Sequence, residues 1–137
     1  MYSHSNVTFQ LKHVQFLSLA YYYFDNETYA ERAIQHVRAW FLDPETRMNP
    51  HLQYASIIRG YDMGRAKGII DFSVMPDLLD SIAILQHSKS WPPRTSAGLR
   101  LWFVLYIEWL KNSPNGWFEK TAHNNHGTVS IARSLLR

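Results

Sequence analysis

Residues 94–111 (RTSAGLRLWFVLYIEWLK) read as a helix that is apolar nearly all the way round. A helix of that kind has to be covered on more than one side. Leu99, Trp102, Phe103, Tyr106 and Leu110 fill one wide face at helical spacing, and Leu101, Leu105 and Trp109 fill another. Charge interrupts the stretch, and it is too short to span a bilayer, so its cover has to be other helices. The spacing predicts burial on both faces, with more neighbours than a four-helix chain readily supplies.

The remaining pattern is also helical, with no convincing strand pair. Residues 7–24 carry Leu11, Val14, Leu17 (or Ser18) and Tyr21 on one stripe. Asp25-Asn26 breaks that helix, and Asn26 is placed to cap the next one, over residues 27–42. There Tyr29, Ala33, Val37 and Trp40 form the apolar stripe, and Pro44 ends the helix. So short a connection makes the two helices an antiparallel hairpin. A third helix is expected over residues 70–87, with Pro76 near its start, and Ser113-Pro114-Asn115-Gly116 is expected to be a turn. These elements predict an all-α chain of antiparallel helical hairpins, forming one domain at most.

A long loop separates the second and third helices, from Asp43 to about Lys67. Loops of that length inside compact domains are usually functional or disordered, and its Tyr54, Tyr61, Arg59 and Arg65 argue against disorder. Five Trp, eight Tyr and seven Phe are a heavy load for a small chain; such rings build cores and also line sugar clefts. Tyr54 can stack on or hydrogen-bond to a sugar, His51 stands beside it, and Arg65 can pair with a carboxylate. Equally, Gly60, Gly64 and Gly68 can serve tight turns while Arg65 bonds loop carbonyls.

The net charge of +3 fits a polyanionic ligand, but the basic residues are scattered, with no run of the kind that binds nucleic acid. No cysteine is present, which excludes disulfides and thiolate metal sites. His123 and His126 make an H-x-x-H pair without an obvious third ligand, so no metal is expected. Nor does the start of the sequence show a basic segment followed by an apolar one, so no signal peptide is visible.

Asn124, Asn125, His126 and Gly127, followed by Thr128, are the sharpest chemical signal. An Asn amide and a His ring beside a glycine can hold a carboxylate by hydrogen bonds and favour charge developing next to it. The same residues can instead cap a helix start and pack beside Trp117.

Tyr29-Ala30-Glu31-Arg32-Ala33, Trp40-Phe41-Leu42-Asp43-Pro44, Met48-Asn49-Pro50, Gly68-Ile69-Ile70-Asp71, Ser113-Pro114-Asn115-Gly116 and Asn124-Asn125-His126-Gly127-Thr128 occur in that order. Together, over residues 17–128, they resemble the alginate lyase superfamily. The resemblance implies an (α/α) toroid of helical hairpins around a cleft. It implies β-elimination on a uronate-containing polysaccharide of the alginate or glucuronan type, without an organic cofactor. Asn125 and His126 become the catalytic, carboxylate-neutralising residues. His51, Tyr54, Arg65 and Asn124 become substrate-binding candidates in the cleft. The family's catalytic Tyr, with an Arg near it, comes from helices after this segment, and residues 129–137 depart from the family's pattern. The expectation is therefore an N-terminal portion of the toroid that is inactive alone, from a protein working in the periplasm or outside the cell. Two other roles fit the same residues: an acidic-glycan-binding module without turnover, and a helical-hairpin protein that self-associates through exposed apolar faces. No membrane partner is expected.

Overall fold

The computed structural model of the chain describes residues 4–57, 60 and 64–122. Among these residues all regular structure is helical. In chain order come α1 (His4–Phe24), α2 (Glu27–Phe41), a 3-10 helix (Ala66–Phe72), α3 (Met75–Leu85), α4 (Pro93–Asn112) and α5 (Pro114–Lys120). The chain divides into two compact units. One holds Asn49–Ser73 and the chain from Trp102 onward; the other holds Thr8–Met48 and Val74–Leu101.

In the second of these units, α1 and α2 are joined by Asp25 and Asn26 alone. Asp25 takes a left-handed φ of 49° that turns the chain, and Asn26 caps α2, its side-chain oxygen accepting from the Thr28 N–H at 3.0 Å. Ring contacts run along the pair, from Phe24–Tyr29 near the turn (6.3 Å) to His13–His36 further away (6.4 Å), which makes the hairpin antiparallel. Ala30, Ala33, Ile34, Val37 and Phe41 are the buried stripe of α2. The start of α2 is fastened to the turn that follows α3. Glu27 accepts from the Ser88 hydroxyl at 2.6 Å, the Ser90 hydroxyl at 2.9 Å and the Lys89 N–H at 3.2 Å.

In the other unit the core is a row of rings. Phe72, fully buried, lies 6.3 Å from Trp102 and 5.6 Å from Tyr106. Against the 3-10 helix packs α5, whose first turn rests on the end of α4. Ser113 is its N-cap, accepting from the Gly116 N–H at 3.0 Å, and a Cβ on Gly116 would meet the Leu110 carbonyl oxygen at 1.8 Å.

Three sequence expectations change. The third helix does not run unbroken over residues 70–87. Its first part belongs to the 3-10 helix, Ser73 and Val74 interrupt it, and α3 starts at Met75 with Pro76 in its first turn, where a missing N–H costs nothing. The 113–116 turn is the cap and first turn of α5. Finally, the buried residues of α4 are Thr95, Leu99, Trp102, Tyr106 and Leu110; Leu101 is 61% exposed, with Val104 and Leu105 also exposed. Apolar character set both faces of that helix apart from solvent in the sequence, but of the second face Leu101 and Leu105 stay exposed and only Trp109 is partly covered.

Candidate functional site

The ring row that begins at Phe72 continues to the surface. Trp102 stacks on Tyr106 (5.5 Å), Tyr106 on Trp109 (6.0 Å), Trp109 meets His51 (6.1 Å), and His51 meets Tyr54 edge-on (5.8 Å). Burial falls along the row, from a fully buried Phe72 to a half-buried His51 and a Tyr54 that is 58% exposed. The row fixes its outer end, because each ring is packed on the one before it.

The loop is tied down from its other side. Leu52 is buried, and residues 53–56 form a tight turn in which Ser56 has a left-handed φ of 53°. Returning chain closes onto that turn. The Arg65 N–H donates to the Ala55 carbonyl at 3.0 Å, and Arg65 Nε donates to the Ser56 carbonyl at 3.0 Å. Two glycines permit the approach. At Gly64, with φ +124°, a Cβ would lie 2.1 Å from the Gln53 carbonyl oxygen; at Gly68 it would lie 2.3 Å from the Ala55 Cβ. Glycine turns and an arginine on loop carbonyls, one of the two sequence readings of this stretch, are what hold Tyr54 and Arg65 to the same turn.

His51, Tyr54 and Arg65 are therefore brought together in one stretch of one unit. His51 Nδ1 accepts a long hydrogen bond from the Gln53 N–H, at 3.4 Å, which in the neutral ring leaves the proton on Nε2 as a donor. The set then offers an exposed ring face, an imidazole N–H and a guanidinium. Those three groups suit a hydroxylated, anionic ligand: C–H groups against the ring, hydroxyls at the imidazole, a carboxylate toward the cation. Trp109, which seats the His51 ring, was placed in the sequence only as one of many apolar residues of α4. Asn124, Asn125 and His126 lie outside the described residues. Among the described residues, no three His, Asp or Glu side chains gather as a metal site, and no helix is long and apolar enough to cross a membrane.

The sequence profile of the family described as alginate lyase matches residues 5–135, a span that takes in both the loop and the Asn-Asn-His-Gly-Thr segment. The fold is similar to the crystal structure of an alginate lyase from Bacteroides ovatus, with a TM-score of 0.91 and 34% sequence identity. That match covers 96% of this chain and 35% of the other, so the chain spans about a third of the length of the solved protein it matches. Among curated proteins, none matches the chain.

Proposed function

Because this chain belongs to the alginate lyase family, we propose that it carries part of the substrate cleft of a lyase that depolymerises a uronate polysaccharide, of the alginate or glucuronan type. The observation that carries this reading is the family match over residues 5–135, which joins the Tyr54–Arg65 loop and the Asn125-His126 pair in one domain type.

The reaction explains why such groups are useful. A base removes the proton at C5, the C4–O bond to the next sugar breaks, a C4=C5 double bond forms, and the leaving oxygen takes up a proton. Negative charge builds on the C5 carboxylate as the proton departs. Asn125 and His126 are proposed to donate hydrogen bonds to that carboxylate and so stabilise the transition state more than the ground state. His51, Tyr54, Arg65 and Asn124 are proposed to hold the sugar: Tyr54 against the ring, His51 Nε2 at a hydroxyl, Arg65 and Asn124 toward carboxylates. By the resemblance, proton transfer falls to a Tyr on helices that follow this segment, and it is assigned to no residue described here. The family also suggests work in the periplasm or outside the cell.

The second reading is glycan binding without turnover. It is favoured by the exposed Tyr54 ring and by Arg65, groups suited to hold an acidic sugar. Both readings are tested by incubating the chain with polymannuronate, polyguluronate and glucuronan while following the ultraviolet absorbance of the unsaturated product. Absorbance that rises, and that is lost in His126→Ala, supports lyase activity. Retention of polyuronate without absorbance, weakened by Tyr54→Ala, supports binding alone. Neither result, with mass rising with concentration in sedimentation, supports self-association through faces such as Phe9 and Phe16 of α1 instead.

A further inference from the structure

Four aromatic residues in a row, Tyr21-Tyr22-Tyr23-Phe24, close α1. Successive residues of a helix point about 100° apart, so four in a row cannot all face one core. The structure leaves three of them outside: Tyr22 is 67% exposed, Tyr23 75% and Phe24 72%. They are not scattered. The Tyr22 and Tyr23 rings meet edge-on at 5.4 Å, and Phe24 leans on Tyr29 at 6.3 Å. A clustered apolar surface of this kind marks contact with something else.

Beside the cluster is an open cleft of about 390 Å3, lined by Tyr21, Tyr22, Asp25, Ala83, Ile84 and His87. Small-molecule sites fall in the range of about 300–1,000 Å3. Its lining combines two phenol rings, the apolar Ala83 and Ile84 of α3, a carboxylate and an imidazole. The wall is also braced. Glu27, whose carboxylate acts on Tyr21, is held by Ser88, Ser90 and the Lys89 N–H, so α2 and the turn after α3 are fixed beside the cleft.

We propose that this cleft is a second glycan-binding site, one that takes a neutral pyranose of an oligosaccharide chain. The ring face and α3 side chains receive the C–H face of a pyranose, and Asp25 and His87 serve its hydroxyls. Charge separates it from the loop of the other unit. There Arg65 is a cation, proposed above to face an anionic sugar. Here Asp25 lines the cleft and the Glu27 carboxylate is close enough to act on Tyr21, so a uronate would bring like charge toward both. The inference does not depend on whether the chain cleaves polyuronates.

The test is calorimetric titration of the 137-residue chain with gluco-, manno- and galacto-tetraose and with tetramannuronate. At least one neutral tetrasaccharide is expected to saturate one site. Tyr22→Ala should weaken it about three- to tenfold, the range a stacking contact is worth. Asp25→Asn should weaken it by about tenfold or more, as loss of a charged hydrogen-bond acceptor. Asn takes the left-handed conformation readily, so that variant keeps the turn; matching circular dichroism would establish this. Tyr54→Ala should leave neutral-sugar binding unchanged, which separates this site from the proposed uronate cleft. Three results would overturn the proposal: no saturable binding of any neutral tetrasaccharide, binding indifferent to both Tyr22→Ala and Asp25→Asn, or tetramannuronate displacing the neutral sugar.

Discussion

Rings at the Phe72 end of one unit and rings at the α1 end of the other share a composition and differ in burial. Phe72, Trp102 and Tyr106 are buried against one another, with centroids 5.5–6.3 Å apart. Tyr22, Tyr23 and Phe24 touch each other or Tyr29 at similar distances but remain in solvent. The difference lies in spacing. Trp102 and Tyr106 stand four residues apart on α4 and share a face; residues 21–24 are consecutive and fan out around α1, so no one core can take them all. An aromatic count therefore says little, whereas the interval between aromatics says which become core and which become surface.

The largest test of that contrast is truncation. Phe72→Ala should cost about 3–5 kcal/mol, because it removes a fully buried ring and leaves a cavity between Trp102 and Tyr106. Tyr23→Ala should change stability by no more than about 0.5 kcal/mol. Urea unfolding of the two variants reads both values. Equal losses would mean that the α1 aromatics are covered in solution and that the contrast is wrong.

Glycines sharpen the same comparison. Gly68→Ala places a methyl 2.3 Å from the Ala55 side chain and 2.7 Å from its carbonyl carbon, so backbone has to move; a loss of about 1–3 kcal/mol is expected. Gly98→Ala, inside α4, meets only the Leu42 Cδ2 at 2.8 Å, the far end of a flexible side chain. Helix propensity there favours Ala by up to about 1 kcal/mol, so Gly98→Ala should be neutral or stabilising. The melting temperature should fall for Gly68→Ala and hold or rise for Gly98→Ala, and equal changes would show that the 53–56 turn yields to a methyl at Gly68 as easily as Leu42 does at Gly98.

Smaller again is Asn26→Ala, expected to cost about 1 kcal/mol through the lost cap at Thr28. This cap was legible in the sequence, as were the extents of α2 and α4 to within a residue or so, because polar breakers and helical periodicity are local signals. Local signals fail where the deciding contact is distant. The 3-10 helix hides in a loop because Gly68 fits only against Ala55, and α5 looks like a turn because Gly116 fits only against the Leu110 carbonyl. For the candidate site, His51, Tyr54 and Arg65 could be chosen from residue type. Their arrangement could not, since it depends on Trp109 of α4 beneath His51 and on the Arg65 contacts to Ala55 and Ser56. Glu27 carries no local signal in the sequence, because its serine partners follow α3, far along the chain.

That carboxylate gives the subtlest effect, one of pH. The Ser88 hydrogen bond chiefly, with Ser90 and the backbone N–H groups of Lys89 and Ser90, lowers the Glu27 pKa; partial burial opposes them. A carboxyl whose folded pKa lies below its unfolded value contributes stability that is full above the unfolded value, about 4.3, and is lost as pH falls through the folded one. His36 acts with the same sign at higher pH, since burial, then Arg32 and His13, lower its pKa and favour the neutral ring; its contribution fades as pH falls below about 6.5. The two are separated by subtraction. Glu27→Gln should be less stable than the native chain at neutral pH, and the gap should hold constant across the His36 range and close only in the carboxylate range. Denaturant midpoints measured from neutral to acid pH would read it. A gap that stays open at the acid end would mean that Glu27 braces α2 by shape rather than by charge, and the wall of the α1 cleft would then keep its form at acid pH.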